Sequence, residues 1–477
     1  MDLPTLEAEV RRSFRHLGDH PEPWVPARPG TDHDVTVVGA GQSGLAIAFA
    51  LRRAGIGRIN LIDAAPEGRT GTWSTKARMR TLRTAKRITG PELGVPALSF
   101  AAWYEAQHGE AAYAAMDLIP LADWIAYLDW FRCVTGVVVR HGIRLLAAEP
   151  GETTGGGLRL RLDTPAGPRT ETTRKLVLAT GGAGAGAPNI PALVADTLPR
   201  ACYAHTDEAI DFERLRGKVV GVVGAAASAF DAAGVALETG AAAAHLFCRG
   251  EDLTRTAPAK TASYIGAASN YLYLSDAERW RLGGVLRGRA PAPPRATVRR
   301  ATRFDNFHLH LGAPLQGLRM QDGRIGFSLG QGQGEVALDF LILGTGYRTD
   351  PALRPELAGF AGTIARWCDR HAPAAEPGQE GRARFPYLGE DFQFLERQAG
   401  QAPCLRDIHL FSYGALETFG RHIGDVASLA LAVPRLVAAL SRDLFVADRG
   451  HHIARMLAAG SEELDTVDYQ HAVRRRP

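Results

Sequence analysis

A glycine-rich stretch near the N-terminus has the residue types and spacing of a nucleotide-binding turn. Residues 39–44 read GAGQSG, follow an apolar run, and open an apolar segment with helical spacing. Gly39 permits a tight turn, Gly41 lets backbone N–H groups approach a pyrophosphate, and Gly44 lets the helix pack closely on the strand. A second apolar run ends on Asp63, where an acid can accept hydrogen bonds from a ribose. The stretch therefore predicts a strand, turn, helix and strand that bind a dinucleotide, rather than an ordinary strand-to-helix turn.

The same pattern recurs in the middle of the chain. A mostly apolar run enters residues 224–228, which read GAAAS, and the strand after the next helix ends on Arg249. A guanidinium at this position can pair with a 2′-phosphate, whereas Asp63 favours a free ribose hydroxyl, so we expect FAD in the first unit and NADPH in the second. Alternatively, Arg249 is a solvated arginine at a strand end. Ala226 replaces the middle glycine, which indicates either a loosely held, exchangeable cofactor or a unit that binds none.

Composition restricts the class of protein. The chain has 477 residues, 45% hydrophobic and 22% charged residues and a net charge of +4, which fits a globular protein of two or three domains and no nucleic-acid partner. Neither a membrane-spanning run nor a signal peptide is recognisable, so we expect a cytoplasmic protein with no membrane partner. The five cysteines form no CxxC pair, which argues against a zinc site and a redox-active disulfide.

The positions of these motifs predict an α/β fold of two Rossmann-like units, an FAD domain with an NADP domain inserted into it. Strands ending in Ala179-Thr180-Gly181 and Gly344-Thr345-Gly346 mark the two chain crossings between the units. The expected divisions are an N-terminal extension (1–33), the first part of the FAD-binding domain (34–190), the NADPH-binding domain (191–338), the return part of the FAD-binding domain (339–440) and a C-terminal helical segment (441–477).

The order of these motifs, from the first glycine turn through Gly-Thr-Trp, Ala-Thr-Gly, His-Thr and the second turn to Thr-Gly-Tyr, resembles the class B flavoprotein monooxygenases. This group includes the flavin-containing monooxygenases, the Baeyer–Villiger monooxygenases and the amine N-hydroxylases. The resemblance implies that NADPH reduces FAD, that reduced FAD and O₂ form a C4a-hydroperoxyflavin, and that one oxygen atom passes to a small nucleophilic substrate such as an amine, thioether or ketone. It also suggests a homodimer.

Carried over by position, the resemblance assigns two sets of cofactor contacts. The residues that it assigns to FAD are Gly39, Gly41, Ser43, Gly44, Asp63, Thr72, Trp73, Thr180, Gly181, Gly424 and Asp425, and those that it assigns to NADPH are Gly224, Ser228 and Arg249. The sequence departs from the group's FxGxxxH(S/T) fingerprint, because Pro199 and Ala201 occupy the Phe and Gly positions and only His205-Thr206 remains. This departure weakens a strict Baeyer–Villiger assignment and leaves the broader class standing.

Few side chains are candidates for catalysis, since the reduced flavin itself activates oxygen. Residues 76–87 carry six basic and no acidic side chains, and Arg83, with Arg80 beside it, is our candidate for pairing with a substrate carboxylate or cofactor phosphate. His205 is the candidate for positioning NADPH. The alternatives are a solvated arginine and a structural histidine. Aromatic residues around Trp124 either line a substrate pocket or form core. The competing functions are a flavin-dependent NAD(P)H reductase acting on a quinone, and a non-catalytic flavoprotein.

Overall fold

The first nucleotide unit is built on a seven-stranded sheet. The computed structural model describes residues 2–18, 20–151, 157–287, 291–330, 334–371, 379–458, 460 and 463–474. The central strands of this sheet carry fully buried Val, Leu and Ile side chains, as expected for a sheet that is covered on both faces. Its parallel part pairs His33–Val38 with both Ile59–Asp63 and Gly167–Leu178. The other strands of the sheet are Arg140–His141, Arg144–Pro150, Leu158–Thr164 and Ile408–Leu410.

The second unit is a parallel sheet of five strands. In spatial order the strands are Tyr203–His205, Phe340–Leu343, Val219–Val223, Ala243–Phe247 and Phe307–His310. Helices Ala227–Glu238 and Arg295–Thr302 pack against each other beside this sheet, and the three antiparallel strands Leu318–Gln321, Arg324–Ser328 and Glu335–Leu338 adjoin it. The predicted α/β fold with two Rossmann-like units is confirmed.

The two chain crossings lie against each other. Gly186–Pro188, on the way into the second unit, pairs antiparallel with Tyr347–Thr349 on the way out. The two Thr-Gly segments, which we expect to mark the crossings, lie just before these paired strands. The predicted boundary at residue 338 divides the second sheet, because Phe340–Leu343 pairs inside that sheet and the chain leaves it only afterwards.

Helices complete the core of the first unit. The long C-terminal helix Val426–Ala447 packs on Gln42–Arg53, the helix that follows the first glycine turn. Trp124, Tyr127 and Phe131 lie on one buried face of helix Leu121–Thr135, where their rings contact those of Phe100 and Phe49. Most of the aromatic set is therefore core. The remaining helices and strands are Leu3–Leu17, Gly71–Thr75, Thr81–Ala85, Phe100–His108, Glu110–Ala115, Leu118–Pro120, Ala192–Thr197, Ile265–Asn270, Asp276–Arg287, Trp367–Arg370, Glu380–Ala383, Leu416–Phe419 and Arg449–Leu457.

Two further observations concern the chain as a whole. Within the described residues, no helix combines the length and the apolar character that crossing a membrane requires. All five cysteines carry free thiols.

Candidate active site

The first glycine turn has the shape of a cradle that only glycine can form. Gly39 adopts φ +103°, and a Cβ atom there would lie 2.5 Å from the carbonyl oxygen of Ala179. A Cβ atom on Gly44 would lie 1.9 Å from the carbonyl oxygen of Gly39. Gly41 is different: its φ is ordinary, and an added Cβ would meet the Cα atom of Gly71 at 3.3 Å. Gly39 and Gly44 are thus required for the fold, whereas Gly41 lets the backbone at Gly71 lie close to the turn.

Donors for an anion lie at this turn. Helix Gln42–Arg53 begins directly after Gly41, and no side chain within the described structure caps its N-terminus, so its first N–H groups and its dipole are available to a pyrophosphate. Asp63 stands at the adjacent strand end, where its carboxylate accepts hydrogen bonds from the backbone N–H groups of Ala40 (2.7 Å) and Ala65 (2.8 Å). These bonds hold the carboxylate beside the turn and leave it capacity to accept ribose hydroxyls.

A hydrogen-bonded chain joins three motifs that are far apart in sequence. The indole Nε1 of Trp73 donates to the side-chain oxygen of Gln42 (2.9 Å), and the Gln42 amide donates to the carbonyl oxygen of Gly424 (2.7 Å). The hydroxyl of Ser43 also lies 3.3 Å from that carbonyl oxygen. Gln42 was not among the predicted site residues, because it occupies a variable position of the glycine motif. The first glycine turn, the Gly-Thr-Trp segment and the turn at Gly424 therefore form one site.

The remaining residues predicted to contact FAD lie around the same site. Asp425 caps the long helix, since its carboxylate accepts from the N–H of Ser428 (2.8 Å), and the preceding Gly424 has φ +97°. Gly181 has φ +74°, and an added Cβ there would lie 3.8 Å from the hydroxyl of Thr72. The hydroxyl of Thr180 donates to the carbonyl oxygen of Gly184 at 3.3 Å. The glycine cradle, the uncapped helix N-terminus and the acid at the strand end fit an FAD molecule.

The second glycine turn keeps the same backbone despite its alanine. Gly224 has φ +130°, and an added Cβ would meet the carbonyl oxygen of Gly344 at 2.5 Å, as Gly39 would meet Ala179. Ala226 has φ −90° and ψ 177°, close to the −68° and −175° of Gly41, and no described side chain caps the helix that follows it. The turn is therefore preserved, and the methyl group of Ala226 is the difference. Ser228, in the first turn of this helix, and Arg249, two residues beyond strand Ala243–Phe247, are both exposed.

The basic segment, residues 76–87, is docked on the second unit. Arg83 donates to Asp231 (2.8 Å) and Arg80 to Glu238 (2.5 Å), and both acids belong to helix Ala227–Glu238. The Asp231 carboxylate is only 4% exposed, and its burial raises its pKa, although Arg83 and Arg300 oppose that change. Other basic side chains of the segment bind backbone carbonyl groups: Arg78 binds those of Lys76, Thr206 and Glu208, and Lys86 those of Tyr113, Ala114 and Met116.

His205 lies in a polar cluster at the junction of the two units. Asp207 accepts hydrogen bonds from the hydroxyl of Tyr347 (2.7 Å) and the ammonium group of Lys76 (2.8 Å), while its backbone N–H donates to Nδ1 of His205 (3.0 Å). Burial lowers the pKa of His205, and the charge of Asp207 opposes this change. His205 is therefore neutral near pH 7, with its proton on Nε2 because Nδ1 accepts. Burial also raises the pKa of Tyr347. Asp207 was missed by the sequence analysis because no motif marks it.

Comparison with known proteins agrees with this site. A family model described as FAD-NAD(P)-binding matches residues 36–183, which include the first glycine turn. The chain is 40% identical over 455 residues to a protein of Xanthomonas campestris pv. campestris named FAD-dependent urate hydroxylase, and the match covers 94% of both chains. The chain belongs to the same family as this FAD-dependent hydroxylase. It is accordingly a flavin-dependent oxidoreductase of the monooxygenase type.

Solved structures of class B monooxygenases share the fold at low sequence identity. An ornithine N-hydroxylase of Kutzneria sp. 744 superimposes with a TM-score of 0.68 at 17% identity, covering 86% of this chain and 99% of that one. An L-lysine 6-monooxygenase of Pseudomonas syringae superimposes with a TM-score of 0.64 at 19% identity and the same coverage. At these identities the likeness concerns the fold, and the substrate must be argued separately.

Proposed function

We propose that this protein is an NADPH-dependent FAD monooxygenase that hydroxylates urate or a closely related oxidised purine. The observation that carries the proposal is the 40% identity, over 94% of both chains, to the protein named FAD-dependent urate hydroxylase. The intact FAD cradle supports it, because Gly39, Gly41 and Gly44 retain the geometry that a bound flavin nucleotide needs. The oxygen atom would enter at a ring carbon, so the substrate differs in class from the amine, thioether or ketone that the resemblance implies.

The overall reaction balances with one reduced nicotinamide. Urate, O₂, NADPH and a proton give hydroxylated urate, NADP⁺ and water. Bound FAD would supply the two-electron relay and the activation of O₂. Urate is an electron-rich fused ring, and loss of a proton makes its ring carbon more nucleophilic, so the protein needs no side-chain nucleophile.

The roles left to the protein are binding, orientation and exclusion of water. The first unit would hold the FAD pyrophosphate at Gly41 and its ribose at Asp63. The second unit would hold NADPH on the helix that follows Ala226, with Arg249 toward the 2′-phosphate. The ion pair between Arg83 and Asp231 would fix the second unit against the first, so that the nicotinamide reaches the flavin in one orientation.

The proposal is tested with purified protein, FAD, NADPH and urate in air. We expect urate to accelerate NADPH oxidation, with one O₂ consumed and one hydroxylated urate formed per NADPH. Added catalase separates this reaction from futile peroxide production, because only peroxide returns O₂ on its addition. NADPH oxidation that urate does not accelerate, but that a quinone does, would instead support a reductase.

A further inference from the structure

A cavity lies beside the segments that form the predicted FAD site. It encloses about 280 Å³ between strand Thr81–Ala85, which follows the Gly-Thr-Trp segment, and Val426, the first residue of the long helix. Most of its wall is apolar, as in pockets that bind small organic ligands. Phe100, Tyr113 and Trp124 contribute aromatic rings to this wall.

Two of the residues that line this cavity carry buried polar groups. Glu92 is 7% exposed, and both of its carboxylate oxygens accept from the N–H of Gly90, at 2.9 and 2.8 Å. Trp124 is 2% exposed, and its indole N–H donates no hydrogen bond within the described chain. Leaving a buried donor unpaired costs about 1–3 kcal/mol, and because this nitrogen is fully buried, a partner in the cavity reaches it only after the Trp124 ring shifts. Arg87, which is exposed to solvent, also lines the cavity and brings a positive charge to its wall.

The position of the cavity connects it to the flavin. Val426 follows the Gly424-Asp425 turn, and the Gly424 carbonyl is bonded to Gln42 of the first glycine turn. On the opposite wall, Leu82 and Thr84 lie a few residues after Trp73, which is also bonded to Gln42. The cavity thus adjoins both polypeptide segments that converge on the FAD site.

We propose that this cavity binds the substrate ring, with the indole N–H of Trp124 donating to a ring carbonyl and the Glu92 carboxyl accepting from a ring N–H. The inference rests on the proposed function and specifies its substrate class: a flat, anionic heterocycle whose edge carries carbonyl and N–H groups, as an oxidised purine does. The aromatic wall packs against the faces of the ring, and Arg87 attracts its negative charge. A ring without these edge groups leaves the Trp124 N–H unpaired and gives Glu92 no bond beyond the one from Gly90, so it is bound more weakly.

The test compares Trp124→Phe and Glu92→Gln with a matched control, Trp130→Phe. Trp130 lies on the same helix and also has a buried indole N–H without a partner among the described residues, but it does not line the cavity. Urate binding to the oxidised FAD-loaded enzyme is measured by calorimetry without NADPH, and the FAD content and flavin absorbance of each variant are recorded. We expect Trp124→Phe to raise the Kd for urate about 10-fold, Glu92→Gln to raise it about 10-fold or more, and Trp130→Phe to leave it unchanged.

Three results would overturn the inference. If wild type binds and hydroxylates urate while both cavity variants bind it equally well, the proposed function stands and the substrate lies elsewhere. If the cavity variants instead lose FAD or change the flavin absorbance, the cavity holds the flavin ring. If wild-type enzyme that is loaded with FAD neither binds nor hydroxylates urate, the proposed function fails and the substrate assignment fails with it. Glu92→Gln keeps the test valid if Trp124→Phe folds poorly, since glutamine is isosteric and can still accept from Gly90.

Discussion

Substitution of Arg83 tests which of two roles the basic segment has. The segment either contacts the substrate or attaches the second unit to the first. The cluster of basic residues in the sequence predicts contact with a substrate carboxylate or a cofactor phosphate. In the structure, the guanidinium lies 2.8 Å from Asp231 on the helix that follows the second glycine turn. The informative substitutions are Arg83→Gln and Asp231→Asn, singly and together. Both remove the charge; asparagine keeps the size of aspartate, and glutamine keeps part of the arginine stem and a polar end.

The expected loss of interaction free energy depends on which charged partners and how much solvent each side chain keeps in the variants. Asp231 is 4% exposed, and removing the partner of a fully buried charge costs about 3–5 kcal/mol. Here Arg83 is 39% exposed, and Arg300 stays 3.5 Å from the same carboxylate, so we expect a smaller loss, about 1 kcal/mol. If the pair fixes the second unit, this loss corresponds to a roughly five- to tenfold slower reduction of FAD by NADPH.

Anaerobic stopped-flow spectroscopy measures that reduction directly through the flavin absorbance. We expect both single variants to slow the reduction, the double variant to be no slower than either of them, and urate binding to be unchanged. Arg80→Gln is the matched control, because Arg80 is largely exposed and Glu238 keeps Arg300 and Arg303, so it should reduce FAD at the wild-type rate. An Arg83→Gln variant with normal reduction and weakened urate binding would refute the attachment role and support the substrate contact.

Three further predictions test individual sites. Arg249→Ala should raise the KM for NADPH strongly and leave NADH use nearly unchanged, because only a phosphate contact is lost; equal losses with both cofactors would contradict this role. Gly41→Ala should weaken FAD binding, which is measured as a lower FAD content of the purified protein. Ala226→Gly should lower the KM for NADPH several-fold, which corresponds to about 1 kcal/mol of binding free energy. Changes in the opposite directions would contradict equivalent roles for the two turns. Burial, assisted by Lys175, lowers the pKa of His409 from 6.5 to about 4, so the neutral ring stabilises the fold above pH 6.5 and this stability is lost as the pH falls toward 4. This pKa difference corresponds to about 3 kcal/mol of unfolding free energy. In His409→Gln, the unfolding free energy measured by urea denaturation should fall less steeply between pH 6.5 and pH 4. An unchanged slope would assign the pH dependence to other groups.

Local motifs explain most of what the sequence predicts correctly. Gly39 and Gly44 lie within one turn, and their spacing alone indicates a strand followed by a helix, so both nucleotide units were recognisable. The contact of Gln42 with Gly424 was not, because it joins residues that are 382 positions apart and depends on how the last helix packs. The partner of Arg83 was hidden for the same reason, since the sequence shows a cluster of positive charge but not the buried acid opposite it.

The boundary of the second unit could not be predicted from the sequence for a different reason. Residues 340–343 have the apolar character of a core strand, which fits either sheet equally well. Only the pairing of Phe340 with Val220 assigns that strand to the second unit. Glu92 illustrates a further difficulty, because a single acid between apolar residues gives no sign in the sequence that it lines a cavity.

The central claim, that the protein transfers an oxygen atom from O₂ to a purine ring, is tested most directly with ¹⁸O₂. The purified enzyme is supplied with FAD, NADPH and urate under labelled oxygen, and the product is analysed promptly by mass spectrometry. We expect one ¹⁸O atom in each hydroxylated urate formed and one product molecule per NADPH oxidised. NADPH consumption with labelled hydrogen peroxide and no label in the urate product would contradict it.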